Sequence, residues 1–99
     1  MVGKHYFVYI LASRKYGALY IGVTGNLVSR AYLHREGLAD GHSRRYHIRK
    51  LVYFESFLEP GLAIQREKQL KKWRRAWKIE LIETTNPEWR DLYPEIAGN

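Results

Sequence analysis

Five side chains have types and spacings that suit chemistry. At helical spacing Ala63, Ile64, Glu67, Leu70 and Trp77 fall on one face, apolar apart from the glutamate. A carboxylate on such a stripe is costly without a partner, which could be a metal ion, a structural arginine or water at the core edge. Arg30 and His34 stand four residues apart, at the edge of a buried stripe expected from Leu27, Val28, Ala31 and Tyr32. Arginine offers a planar fork for phosphate and histidine moves a proton near neutral pH, so the pair suits an anionic substrate. Taken alone, the pair reads more readily as two solvated helix residues. Tyr9 and Tyr20 lie on either side of a hairpin whose midpoint falls between Arg14 and Lys15, so they should sit nearly opposite each other, either as chemistry or as a packing pair. In "LYIGVTGNL", residues 19 to 27, Gly22 follows Tyr20 where a strand gains little from glycine, which suggests room for helix packing or a close approach of substrate.

The elements that must position these residues are readable from the pattern. His5 to Ala12 is apolar on both alternating sets, as in a central strand covered on both faces. "SRKYG" reads as a hairpin loop with Gly17 supplying the unusual backbone angle, and Ala18 to Val23 as the returning strand. Thr24 or Asn26 can cap a helix that runs to about Glu36 and stops at Gly37. Residues 37 to 49 are polar and basic without a clear period, and Lys50 to Phe57 reads as a third strand. After Pro60 and Gly61, a helical pattern covers Leu62 to Glu83 with a break near Trp73. "NPEW" looks like a new start, with Asn86 as cap and Pro87 in the first turn. The order ββαβα plus a short helix implies an α+β fold, a three-stranded antiparallel sheet flanked by helices, in one domain spanning residues 1 to 99.

Charge narrows the partner. Lys and Arg outnumber Asp and Glu by 17 to 10, a net charge of +7, which favours a polyanion and nucleic acid ahead of a membrane surface. "QREKQLKKWRRAWK", residues 65 to 78, carries Lys68, Lys71, Lys72, Arg74 and Arg75 with Trp73 and Trp77 interleaved, and Trp77 reads as core. "HSRRYHIRK", residues 42 to 50, adds Arg44 and Arg45, and Lys15 lies in the hairpin loop. The same residues would also make an ordinary solvated basic face. Without cysteine, disulfides, thiolate metal sites and thiol catalysis are excluded. His42 and His47 have no zinc-ligand spacing, and no phosphate-binding glycine loop or Ser-His-Asp arrangement is present. No apolar run is long enough to span a membrane and no signal peptide is evident, so a cytoplasmic location is expected.

Taken together these residues resemble the GIY-YIG nucleases, and the small bacterial stand-alone members most closely. "VYI" at 8 to 10 and "YIG" at 20 to 22 are similar to the paired signature, although Phe7 and Val8 replace the first glycine and isoleucine. Arg30 follows Tyr20 by ten residues, His34 comes four later, and "QREKQLKKW" holds the helical glutamate. The resemblance covers nearly the whole chain, to the "NPEWRDLY" tail. It implies a metal-dependent endonuclease acting on DNA, with RNA not excluded, of a kind used in repair or recombination, with specificity from a partner protein where needed. Glu67 would hold one Mg²⁺ or Mn²⁺, which prefer oxygen ligands. Arg30 would pair with the scissile phosphate, and Tyr20 would act as general base or position the water, with His34 as helper or alternative base. Tyr9 would orient the metal-bound water or the phosphate. Asn86 is a candidate for a late asparagine near the active site. The alternatives are a non-catalytic nucleic-acid-binding module of the same fold and a structural subunit that binds an acidic partner.

Overall fold

The computed structural model describes residues 4–39 and 41–98. Its elements run β1 (Tyr6–Ala12), β2 (Leu19–Thr24), α1 (Leu27–Arg35), α2 (His42–Arg45), β3 (Lys50–Phe57), α3 (Pro60–Lys72), α4 (Arg75–Thr85) and α5 (Tyr93–Ile96). The strands form one antiparallel sheet in the order β2-β1-β3. The central place of β1 follows from its composition: Val8 through Ala12 are all buried, because both faces of the strand meet apolar layers.

One face of the sheet presents Val8, Ile10, Ala12, Ile21 and Val52 to Ala63 and Leu70 of α3, Ile82 of α4 and Trp89. The other presents Tyr9, Leu11 and Leu51 to Leu27 and Ala31 of α1, with Ile48, Tyr93 and Ile96 closing the edge. A bulge in β3 lets Ile10 oppose Tyr53 while Leu11 opposes Leu51, so that Val52 and Tyr53 both turn toward the α3 layer.

Local chemistry sets the helix ends. The Asn26 side-chain oxygen accepts from Ser29 N at 3.1 Å, while Thr24 Oγ1 accepts from Asn26 N at 3.0 Å, so "TGN" both turns the chain and caps α1. Gly37, at φ +72°, ends α1 as expected. The single helical pattern is interrupted at Trp73 and Arg74, both extended, which separates α3 from α4. Among the described residues no helix is long and apolar enough to cross a membrane.

Several expectations are corrected by packing. The buried stripe of α1 is Leu27, Ala31 and His34, whereas Val28 and Tyr32 are exposed. Both sets have helical spacing, and the docking angle of α1 chose the one containing the histidine. Ile64 and Trp77 are exposed. The break at Trp73 and Arg74 resets the helical phase, so spacing counted from Glu67 does not reach Trp77, and Trp73 packs against the core instead. In the hairpin the left-handed residue is Tyr16, at φ +61°, rather than Gly17. Gly17 serves close approach: a Cβ there would lie 2.3 Å from Ser13 Oγ. Asn86 does not start a helix at Pro87; it ends α4, and the next helix begins at Tyr93.

Candidate active site

The hairpin pairs Tyr9 with Gly22 and Tyr20 with Leu11, so the two tyrosines are diagonal neighbours on one face rather than directly opposed. The turn, centred one residue later than its sequence suggested, sets this register. It also explains Gly22. Tyr9 lies across Gly22, and a Cβ at that position would stand 2.4 Å from the Tyr9 hydroxyl oxygen. The glycine therefore makes room for the tyrosine, not for a helix.

His34 completes the cluster. Its ring centroid lies 5.3 Å from that of Tyr20 and 6.0 Å from that of Tyr9, and the two tyrosine rings are 6.3 Å apart. Nε2 of His34 is 3.4 Å from the Tyr9 hydroxyl. Nδ1 of His34 is 2.8 Å from Ser43 Oγ, a buried contact. Ser43 was not among the residues singled out in the sequence; its one signal is a small uncharged residue within a basic run.

Electrostatics separate the roles of these groups. Burial, then the neighbouring Tyr20, push the Tyr9 hydroxyl pKa well above its usual value, against the lowering influence of Arg30 and with a further raising influence of Glu67. Tyr9 is therefore a protonated donor at neutral pH. Burial, then the charge of Arg30, lower the pKa of His34, so the ring is neutral and able to accept a proton. Arg30 itself is exposed on α1, and no ion pair occupies it among the described residues.

Glu67 comes from α3, across the sheet from α1, and its charge registers on Tyr9. Its side chain is 13% exposed, and Oε2 pairs with Lys71 Nζ at 2.7 Å. The turn of α3 that carries it is fixed by its neighbour. Arg66 donates to both carboxylate oxygens of Glu55, at 2.9 and 2.8 Å, and its guanidinium lies 5.2 Å from the Trp73 ring centre. Tyr53 donates to the same carboxylate at 2.5 Å. This half-buried clamp ties α3 to β3 and was also missed, because its partners are eleven residues apart and on different elements.

The expected nucleic-acid contacts have different local partners. Lys68 and Lys72 line a groove of about 560 Å³ with Phe57, Leu62 and Gln65. Arg74 lies over Trp77, Arg45 over Tyr46, and Lys15 over Tyr16. Arg44 is exposed beside Ser43 on α2. Lys71 faces Glu67. Arg75, although exposed, is tied to the hairpin loop: Nη2 donates to the carbonyls of Tyr16 and Gly17, both at 2.7 Å. Asn86 is likewise committed. Nδ2 donates to the carbonyls of Val52 and Arg90, at 3.1 and 2.9 Å, and Oδ1 accepts from Arg90 N at 3.0 Å, which leaves its amide nothing to offer a phosphate.

These features define a class: a small α+β domain with a tyrosine–histidine cluster on one face of a three-stranded sheet, whose tyrosine feels the charges of an arginine and a glutamate from different helices. The GIY-YIG catalytic domain matches residues 5–80, and the chain belongs to the GIY-YIG family, a family of nucleases. It is similar to the UPF0213 protein CPE1444 of Clostridium perfringens, with 37% identity over 90 residues, covering 91% of this chain and 96% of that one. A UPF0213 protein of Bacillus licheniformis is also 37% identical, over 91 residues and 92% of each chain. The solution NMR structure of the UPF0213 protein BH0048 from Bacillus halodurans superposes with a TM-score of 0.55 at 25% identity, covering 88% of this chain and 92% of that one.

Proposed function

We propose that this chain is a divalent-metal-dependent endonuclease that hydrolyses DNA phosphodiester bonds. The observation that carries the reading is the gathering of Tyr9, Tyr20 and His34 within the electrostatic reach of Arg30 and Glu67, although the five residues come from four elements. The donor set fits a hard cation. Glu67 is a mostly covered carboxylate whose one charged partner among the described residues is an exposed lysine, and such i,i+4 pairs contribute only about 0.3–0.5 kcal/mol, so a divalent ion can displace it. No group of three or more His, Cys, Asp or Glu side chains forms a metal cluster among the described residues, which favours a single ion completed by water and phosphate oxygens. When bound, Mg²⁺ or Mn²⁺ would neutralise charge at the phosphate and the leaving 3′ oxygen.

The protein's own groups divide the remaining work. Arg30, exposed and without an ion pair among the described residues, binds the scissile phosphate. Tyr20 positions the attacking water, with the His34 ring 5.3 Å away as its helper. Tyr9 stays protonated and orients the oxygen atoms in front of it. Lys68, Lys72, Arg74, Arg44, Arg45 and Lys15 hold the nucleic-acid backbone. The Lys71–Glu67 pair is the observation behind a second reading, a binding module whose glutamate never takes a metal.

The test is cleavage of labelled duplex, single-stranded and branched DNA in Mg²⁺, Mn²⁺ or EDTA. Cutting is expected only with metal, and Glu67→Ala should lower it by at least about 10²-fold while DNA binding survives. Binding without cutting on every substrate would select the second reading.

A further inference from the structure

We infer that Ser43 is a positioning residue that fixes the tautomer of His34 and, through it, the direction of a hydrogen-bond chain ending at Tyr9. Ser43 and His34 are 1% and 3% exposed, so water does not arbitrate between them. The Ser43 hydroxyl carries one proton, and His34 Nδ1 at 2.8 Å is the only side-chain or backbone partner recorded for it among the described residues. A buried hydroxyl without an acceptor is unfavourable, so Ser43 donates to Nδ1. Neutral His34 must then carry its proton on Nε2, which faces the Tyr9 hydroxyl oxygen. With that oxygen accepting from His34, the Tyr9 O–H is turned away from the histidine and is free to donate to an oxygen in front of it. The opposite tautomer would reverse every donor in the chain and strand the serine proton.

The fold holds Ser43 in place for this. Ile48 is fully buried in the layer that contains Tyr9, and its N–H donates to the Ser43 carbonyl at 2.8 Å. Gly41, at φ +89°, admits the chain into α2. The basic segment between α1 and β3 is therefore anchored onto the catalytic cluster. This inference rests on the nuclease reading only for its kinetic consequence.

The experiment reads the tautomer directly, by long-range ¹H–¹⁵N NMR correlation of the histidine rings in the metal-free, DNA-free protein, with His34→Gln to assign the signal. The native protein should show His34 protonated on Nε2. Ser43→Ala should shift the tautomer ratio toward Nδ1–H by about fivefold or more, the equivalent of one hydrogen bond, and Ser43→Thr should restore it. In cleavage, Ser43→Ala should lower kcat with KM unchanged, again rescued by threonine. A native His34 protonated on Nδ1 would overturn the inference, even if Ser43→Ala did not fold. So would a folded Ser43→Ala protein with an unaltered ratio. Because the tautomer is read without substrate, an inactive protein would defeat the nuclease reading and leave the assignment of Ser43 to stand or fall by itself.

Discussion

Gly22 is the floor on which Tyr9 lies: a Cβ at residue 22 would meet the Tyr9 hydroxyl oxygen at 2.4 Å and Cζ at 2.5 Å. Gly22→Ala should therefore push the ring out of the cluster, destabilise the fold by about 1–3 kcal/mol and lower cleavage. In a Tyr9→Ala background the same change should cost much less, because the clash has gone. Denaturant melts of the four proteins of this cycle check the coupling, and equal costs in both backgrounds would show that the strand absorbs the methyl group.

The Glu55–Arg66 clamp should make stability fall in acid. Burial alone would raise the Glu55 pKa, but hydrogen bonds from Arg66 and Tyr53 and the charge of Arg66 bring it below its ordinary 4.5. A carboxylate whose pKa is lowered by folding stabilises above its unfolded value and loses that contribution as pH falls through its folded value. The His34 pKa, lowered first by burial and then by Arg30, acts at higher pH: below its ordinary 6.5 the unfolded chain takes up the proton first. Melts from pH 8 to pH 3 should show two losses. His34→Gln should flatten the one that begins near 6.5, and Glu55→Gln the one below 4.5.

Arg75 holds the hairpin loop, where Tyr16 sits at φ +61° with its ring 5.3 Å from that of Trp89. Arg75→Met should destabilise by about 1–2 kcal/mol, with an unchanged denaturant slope. A midpoint equal to that of the native protein would mean that the Trp89 contact holds the loop without it.

Salt dependence should separate the basic residues. Removing Lys68, Lys72 or Arg74 should each reduce the slope of log binding constant against log salt by about 1, if each meets a phosphate. Arg75 is committed to the loop carbonyls, so its removal should leave that slope unchanged. Titration of a labelled duplex between low and moderate salt distinguishes the two groups.

The sequence determined the strands and their layer order because β1 is apolar on both alternations, and it placed the α1 cap and the helix break because Asn26, Gly37 and the Trp73 region act over a few neighbouring residues. Type and spacing were also enough to single out Tyr9, Tyr20, Arg30, His34 and Glu67. What depended on packing was not legible. The hairpin register turned on a left-handed Tyr16, which is held by Arg75 and Trp89 from almost sixty and more than seventy residues away. The face that α1 buries was degenerate by period, and only its docking chose His34 over Val28 and Tyr32. Trp77 lost its place when the chain straightened at Arg74. Ser43 and the Glu55–Arg66 clamp left no periodic trace, because a hydrogen bond between elements is set by three-dimensional placement rather than by spacing along the chain.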